Sequence, residues 1–401
     1  MVKPTLAITN LGTIVTGDID QPLADGDTII IRDEQIVALG SRRDLAPELA
    51  AILVDANGMT AMPGLIDPHV HPMLGDWSPR HSVMGWLEGA LHGGVTSMLS
   101  QGIVHMEGRP RDRSGTKALA ILTTKLYRQY RPGGGLKLLS GAVILEQGLT
   151  EADFAELASE GVRLVAEVGA SGIFRYDEVR FMLDWARQAK MKIPLHFGGP
   201  SSLPGSARLW ADEVLQYRPD VVAHINGGPI AAPLREVDRV LDETTIPVEV
   251  IHTGNLKAAV HTVGRLKEEN NLRRLIIGSD TPVGHGVIPL AIMKTLAHLC
   301  PLVGISAPVG IALATGNSAR VYDLNGIGFL RAGCAADLLV VDAPKDSAGK
   351  DALGAIECGD VPAINLIVCD GRIVARRGKN TPHSYRAISI QPNSLTAAHE
   401  N

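Results

Sequence analysis

Basic runs are missing from this chain. Its 38 Lys and Arg are outnumbered by 43 Asp and Glu, for a formal charge of −5, and both signs are scattered, so no stripe of cations is available to replace counterions along a nucleic acid. Long apolar runs are missing too. The opening MVKPTLAITN lacks the uninterrupted core of a signal peptide, and the most apolar later stretch, VIPLAIMKTLAHL, is short and broken by Lys294, so a cytoplasmic protein without membrane contact is expected. Cysteine is scarce. Cys300, Cys334, Cys358 and Cys369 show no Cys-x-x-Cys spacing and read as buried thiols in a reducing compartment rather than as disulfides or metal ligands. Short-period repeats and low-complexity tracts are absent, and the polar last dozen residues are expected to be loosely ordered. What remains is a globular protein with a small-molecule partner.

The composition, 45% hydrophobic and 20% charged over 401 residues, supports a large core. The first sixty residues read as short strands with turn punctuation (TLAITNLGTIV, DGDTIIIRD, QIVALG), and GCAADLLVVDAP and INLIVCDGRIVARRG repeat that texture near the end. Residues 1–60 and 320–390 are therefore expected to form one small β-sandwich domain, followed by a tail at 391–401. The middle alternates short apolar runs with amphipathic ones, the pattern of β/α units around a parallel sheet. Eight strand candidates appear: 65–71, 94–100, 138–145, 162–168, 192–197, 221–225, 246–252 and 274–280. Residues 61–319 number 259 (319 − 61 + 1), close to the roughly 250 of an eight-fold (β/α) barrel. The expected fold is thus α/β, a TIM-like (β/α)8 barrel carrying a β-sandwich built from both termini.

Barrel enzymes place their chemistry at the C-terminal ends of strands. There the chain puts His69 and His71 on strand one, Glu167 on strand four, His196 on strand five, His224 on strand six, His252 on strand seven and Asp280 on strand eight. His69 and His71 stand two apart, so both rings face one space. Any one buried histidine is ordinarily a hydrogen-bonded core residue. Several histidines and two carboxylates converging on one mouth would be costly to desolvate without a cation, and they are ligands suited to Zn²⁺, Fe²⁺ or Mn²⁺. The six other than His252 over-supply one catalytic ion, whereas two ions bridged by Glu167 use all six.

The set resembles the amidohydrolase superfamily, whose binuclear members carry His-x-His on strand one, a bridging carboxylate on strand four, histidines on strands five and six and aspartate on strand eight. ATGNSARVYDL at 314–324 is similar to the family's segment leaving the barrel. Many members bridge the metals with a carboxylated lysine, but VRLVAEVGASG offers none; Lys125 and Lys192 lie elsewhere, so Glu167 takes that place, as in a minority of the family. The resemblance implies that His69, His71, Asp280 and Glu167 hold the more buried metal, that His196 and His224 hold the second, with Zn and/or Fe as the ions, and that Asp280 shuttles the proton of an attacking hydroxide. It also implies a homo-oligomer, tetramer favoured. A non-catalytic scaffold would lack several ligands; all six are present.

The Glu bridge and the AEVGASG loop are similar to those of cyclic amide hydrolases in the family. This implies opening of a carboxylated six-membered enamide such as 6-oxo-1,4,5,6-tetrahydronicotinate, with later loss of ammonia to an aldehyde acid. A dihydroorotase-like, imidase-like or isoaspartyl dipeptidase-like hydrolase and a deaminase stay open as alternatives. Arg175 or Arg80 could receive the substrate carboxylate as a bidentate pair. His252 is either a substrate contact or a structural histidine, and the glycines of FGGP (197–200) and NGGP (226–229) let backbone approach a bound ring.

Overall fold

A computed structural model describes residues 5–72, 81–104, 106, 108–130, 135–200, 206–228, 230–282 and 286–392. The expected run of eight parallel segments is observed, with shorter bounds: Leu65–Val70, Val95–Ser100, Lys137–Leu139 with Ala142–Val143, Leu164–Val165, Pro194–Leu195, Val221–Val222, Val248–Ile251 and Leu275–Gly278. Regular parallel ladders join the first to the third segments, the third to the fourth, and the fifth to the eighth. Bridges at Leu164–Lys192 and Val168–Leu195 link the fourth to the fifth. The pairing then returns to its start, because Val70 bridges Thr281 and the His71 N–H donates to the Thr281 carbonyl at 2.8 Å.

Successive residues of these strands sort into two clusters, as a pleated strand buried on both faces requires. Val165, Val222, Val248, Val250, Leu275 and Ile277 pack with helix residues such as Leu157, Val179, Val237, Val263 and Leu296. Leu164, Val221 and Ile276, their neighbours in sequence, pack with Leu99, Ile144, Ala166 and Tyr322. One connecting helix starts where the sequence signals a start, and another begins at a residue whose side chain does not cap it. Glu151–Ser159 is entered at Thr150, whose backbone N–H donates to Asp153 at 2.8 Å, and Tyr176–Gln188 is entered at Arg175.

Both ends of the chain build two further sheets. One has the order Ser389–Pro392, Ile52–Asp55, Leu6–Thr9, Thr28–Arg32, Gln35–Gly40; the other runs Arg372–Ala375, Ala363–Cys369, Leu338–Asp342, Thr60–Pro63, Thr13–Val15, Leu23–Ala24. Leu6, Ile8, Ile29, Ile31 and Val54 of the first share one buried cluster with Ile14, Ala61, Leu338, Val340 and Leu366 of the second. Ser389–Pro392 pairs with Ile52–Asp55, so the first residues of the expected loose tail are part of a strand; residues 393–401 lie outside the described residues. Three cysteines are buried as expected, but Cys358, at the end of a short helix, is exposed; all four are free thiols. Among the described residues no helix is long and apolar enough to cross a membrane.

Candidate metal centre

Two groups of ligand atoms converge at the strand ends, and Glu167 belongs to both: His69, His71 and Glu167 form one, and Glu167, His196 and His224 the other, with the atoms of each within 4.8 Å of one another. The two oxygens of Glu167 divide the work. Oε2 stands 3.4 Å from His69 Nε2 and 3.8 Å from His71 Nε2, while Oε1 stands 2.9 Å from His196 Nδ1 and 2.5 Å from His224 Nε2. Asp280 joins the first group, its Oδ1 lying 3.3 Å from His71 Nε2 and 3.6 Å from His69 Nε2. All six side chains are buried. Two of these residues, His224 (φ 33°) and Asp280 (φ 54°), hold the left-handed backbone conformation that L-residues avoid, strain that is concentrated at functional sites.

The far nitrogen of every ring faces an acceptor: His69 Nδ1 meets Glu249 at 2.6 Å, His71 Nδ1 the Gly102 carbonyl at 2.9 Å, His196 Nε2 the Gly199 carbonyl at 2.9 Å and His224 Nδ1 the Phe197 carbonyl at 3.0 Å. With the outward nitrogen of each ring met by an acceptor, the inward nitrogen is the one left to take a cation, a proton in the metal-free protein or a metal ion when one is bound. His69 Nε2 and His71 Nε2 lie only 3.2 Å apart, a contact that two lone pairs tolerate only with a cation between or beside them. This pattern of outer acceptors fixing the tautomer is that of ligating histidines. The donor set fits a pair of divalent cations.

The electrostatics without metal point the same way. Burial works against charge on His69, yet Glu249, Asp280 and Glu167 outweigh it and hold the ring well above its ordinary value. His224 is pushed up to about 9, burial again being overcome by Glu167 and Asp280. Burial favours the neutral form of Glu167, but His224, His196 and His69 pull it well below the usual carboxylate range; Asp280 is likewise lowered by His69, His71 and His224. The acids demand positive charge in this space.

The remaining sequence expectations fall outside this cluster. His252 has its Nδ1 3.0 Å from Thr295 Oγ1 and its ring stacked on His298. These residues border a cavity of about 180 Å³ between the seventh strand and the helices Leu256–Glu268 and Ala291–Val303. Burial, His298 and Lys294 press its pKa down to about 4. Arg175 is exposed at the start of its helix, and Arg80 lies outside the described residues. Lys125 pairs with Glu160 on neighbouring helices, and Lys192 pairs with Asp323 at 2.8 Å, so neither approaches Glu167.

Three groups at the site escaped the sequence reading. Glu249 supports His69, and Asp67 accepts from the backbone of His69 (3.3 Å) and Ser279 (3.0 Å), with burial pushing its carboxyl up to about 7. Both are acids inside otherwise apolar strands, LIDPHV and VEVI, and Asp67 shares the face of His69 and His71 by strand alternation; that was the available signal. Buried Arg109 donates to Glu146 at 2.7 Å and to Ser171 Oγ at 2.8 Å, tying together the loops after the second, third and fourth strands.

Comparisons with known proteins give the chain its relatives. The model of the amidohydrolase family matches residues 60–375. An enamidase from Eubacterium barkeri is 44% identical over 383 residues, 96% of this chain and 98% of that protein. A crystal structure of enamidase, described as a member of the amidohydrolase superfamily, superposes with a TM-score of 0.91 at 43% identity over 96% of this chain and all of that one. A β-aspartyl dipeptidase from Fervidobacterium islandicum, 15% identical with a TM-score of 0.63 over 96% of this chain and all of its own, shares the fold alone. The chain belongs to the amidohydrolase family, hydrolases that act here on C–N bonds.

Proposed function

We propose that this protein opens a cyclic amide, a carboxylated six-membered enamide such as 6-oxo-1,4,5,6-tetrahydronicotinate, in a (β/α)8 barrel (61–319) flanked by a β-sandwich from both termini (1–60 and 320–390). Its working state is a cytoplasmic homo-oligomer. One observation carries the substrate class: the similarity to the Eubacterium barkeri enamidase spans 96% of this chain, far more than the ligands the whole family shares. His69, His71, Asp280 and Glu167 would hold one divalent ion and Glu167, His196 and His224 the other, Zn and/or Fe. Such ions supply an activated water and an electrophile for the amide carbonyl.

The side chains do the rest. Asp280, its Oδ1 already within 3.3 Å of the inward nitrogen of His71, takes the proton of the attacking water and returns it to the ring nitrogen as the C–N bond breaks, acting as base and then acid. The freed enamine tautomerises to an imine, which water hydrolyses to the aldehyde and ammonia. Glu167 keeps the two groups in register through its divided oxygens. Arg175, exposed at the entrance of the helix after the fourth strand, or Arg80 receives the substrate carboxylate. For His252, the Thr295 and His298 contacts favour the structural role.

The test is a turnover screen of the metal-loaded protein on carboxylated lactams, linear dipeptides including β-aspartyl ones, cyclic ureides and aminated heterocycles, with ammonia as one readout. Ring opening of the lactam acid with release of ammonia is expected. Turnover confined to dipeptides, to ureides or to exocyclic amines would replace the proposal by the corresponding alternative.

A further inference from the structure

We infer that Glu249 is a positioning residue that couples the two metal groups, one of its oxygens holding a ligand of each; the inference rests on the two-metal reading above. Glu249 lies on Val248–Ile251, and its neighbours Val248 and Val250 pack outward with the helices. Strand alternation therefore turns Glu249 the other way, where it is fully buried. Its Oε2 accepts from the His69 ring at 2.6 Å and from the backbone N–H of His224 at 3.2 Å. His69 belongs to the first group and His224 to the second. The His224 contact also holds a residue whose backbone, at φ 33°, would otherwise relax.

The second oxygen is more telling. Glu249 Oε1 is buried and has no hydrogen-bond partner among the described residues. Its space exists because residue 278 is glycine: a Cβ there would stand 2.4 Å from Oε1 and 3.1 Å from the Cβ of His69. A fold that needed only an acceptor for His69 would be served by a neutral amide, and it would not leave half a carboxylate unsatisfied at such desolvation cost. The negative charge itself is what the site uses. Two divalent ions bring four positive charges, and Glu167 with Asp280 return two; Glu249 supplies a third from behind His69, making that ring a stronger ligand. Because the same oxygen anchors His224, its loss is felt in both groups although it touches neither ion.

The experiment compares the wild-type protein with Glu249→Gln and Glu249→Ala. Each is stripped of metal, checked for folding by thermal unfolding, and titrated with Co²⁺ against a competing chelator while the visible Co²⁺ bands are followed. Both variants are expected to bind Co²⁺ about 10- to 100-fold more weakly at both sites, with shifted bands, and kcat should fall at unchanged KM. Wild-type affinity and spectrum in Glu249→Gln, or weakening at one site only, would overturn the coupling. If Glu249→Ala does not fold, the isosteric Glu249→Gln decides alone. The titration needs no substrate, so failure of the lactam reading leaves it decisive; a wild-type protein that takes up no Co²⁺ overturns both.

Discussion

His224 follows the sixth parallel strand and His252 the seventh, and burial opposes charge on both rings, yet His224 is pushed up to about 9 and His252 down to about 4. The difference is company. His224 faces Glu167 and Asp280, whereas His252 faces His298 and Lys294. A histidine at a strand end is therefore not by itself a mark of a metal site; an acid reaching the same space is what creates demand for a cation.

The comparison breaks most completely in Glu167→Gln. A neutral amide bridges two cations poorly, so this variant should fold, lose metal as measured by elemental analysis, and lose activity with it. In the metal-free state the His224 pKa, followed by NMR, should fall from about 9 toward ordinary values, since Glu167 is its main source of elevation. Lys125→Ala and Lys192→Ala, whose partners are Glu160 and Asp323, should leave both metals bound; a bridging lysine in a crystal structure would refute the assignment.

Asp280→Asn comes next. Loss of the proton carrier should lower kcat by about 10²- to 10⁴-fold while at least one metal stays, and activity within a few-fold of wild type would remove Asp280 from the proton path. Smaller again is Arg175→Met. The carboxylate keeps its charge through ring opening, so its contact is shared by ground and transition states, and loss of a charged hydrogen bond should raise KM about 10- to 100-fold with kcat unchanged. The rise should be confined to the lactam acid; an equal effect on the ring lacking its carboxylate would shift the role to Arg80 or elsewhere.

The smallest effect belongs to the other half of the comparison. A histidine whose folded pKa sits near 4 against an ordinary 6.5 refuses a proton that the unfolded chain accepts. Its contribution to stability is thus present above about pH 6.5 and is lost as pH falls toward about 4. His252→Gln should make the melting temperature fall less steeply between pH 7 and pH 5 than in the wild type; parallel curves would show that the ring is not held neutral.

The eight strands and the convergence of the six candidate ligands were legible because apolar strands interrupted by His or an acid at one end leave few readings: His69 and His71 at i, i+2 and Glu167 closing VRLVAEV stand out in the sequence itself. Glu249 carries the same kind of signal in VEVI, but it stands mid-strand rather than at the strand end where the sequence pattern points to chemistry. His252 shows the reverse, a strand-end position that leads toward Thr295 and His298. Arg109 was not legible, since its partners Glu146 and Ser171 come from two other loops and no periodicity links loops in sequence. The exposure of Cys358 likewise depends on where a short helix lies against the rest.

The meeting of the first and last parallel strands sets an order of events in the life of the chain. Asp280 follows His69 by 211 positions (280 − 69), and its backbone N–H donates to the His69 carbonyl at 2.9 Å. Contacts so distant in sequence carry a loop-closure cost and form late. A nascent chain emerging from the ribosome thus displays His69 and His71 long before the acid that completes their group exists. The two imidazoles stand at that stage without Glu167 and Asp280, so the demand for positive charge that these acids create arises only in the finished protein.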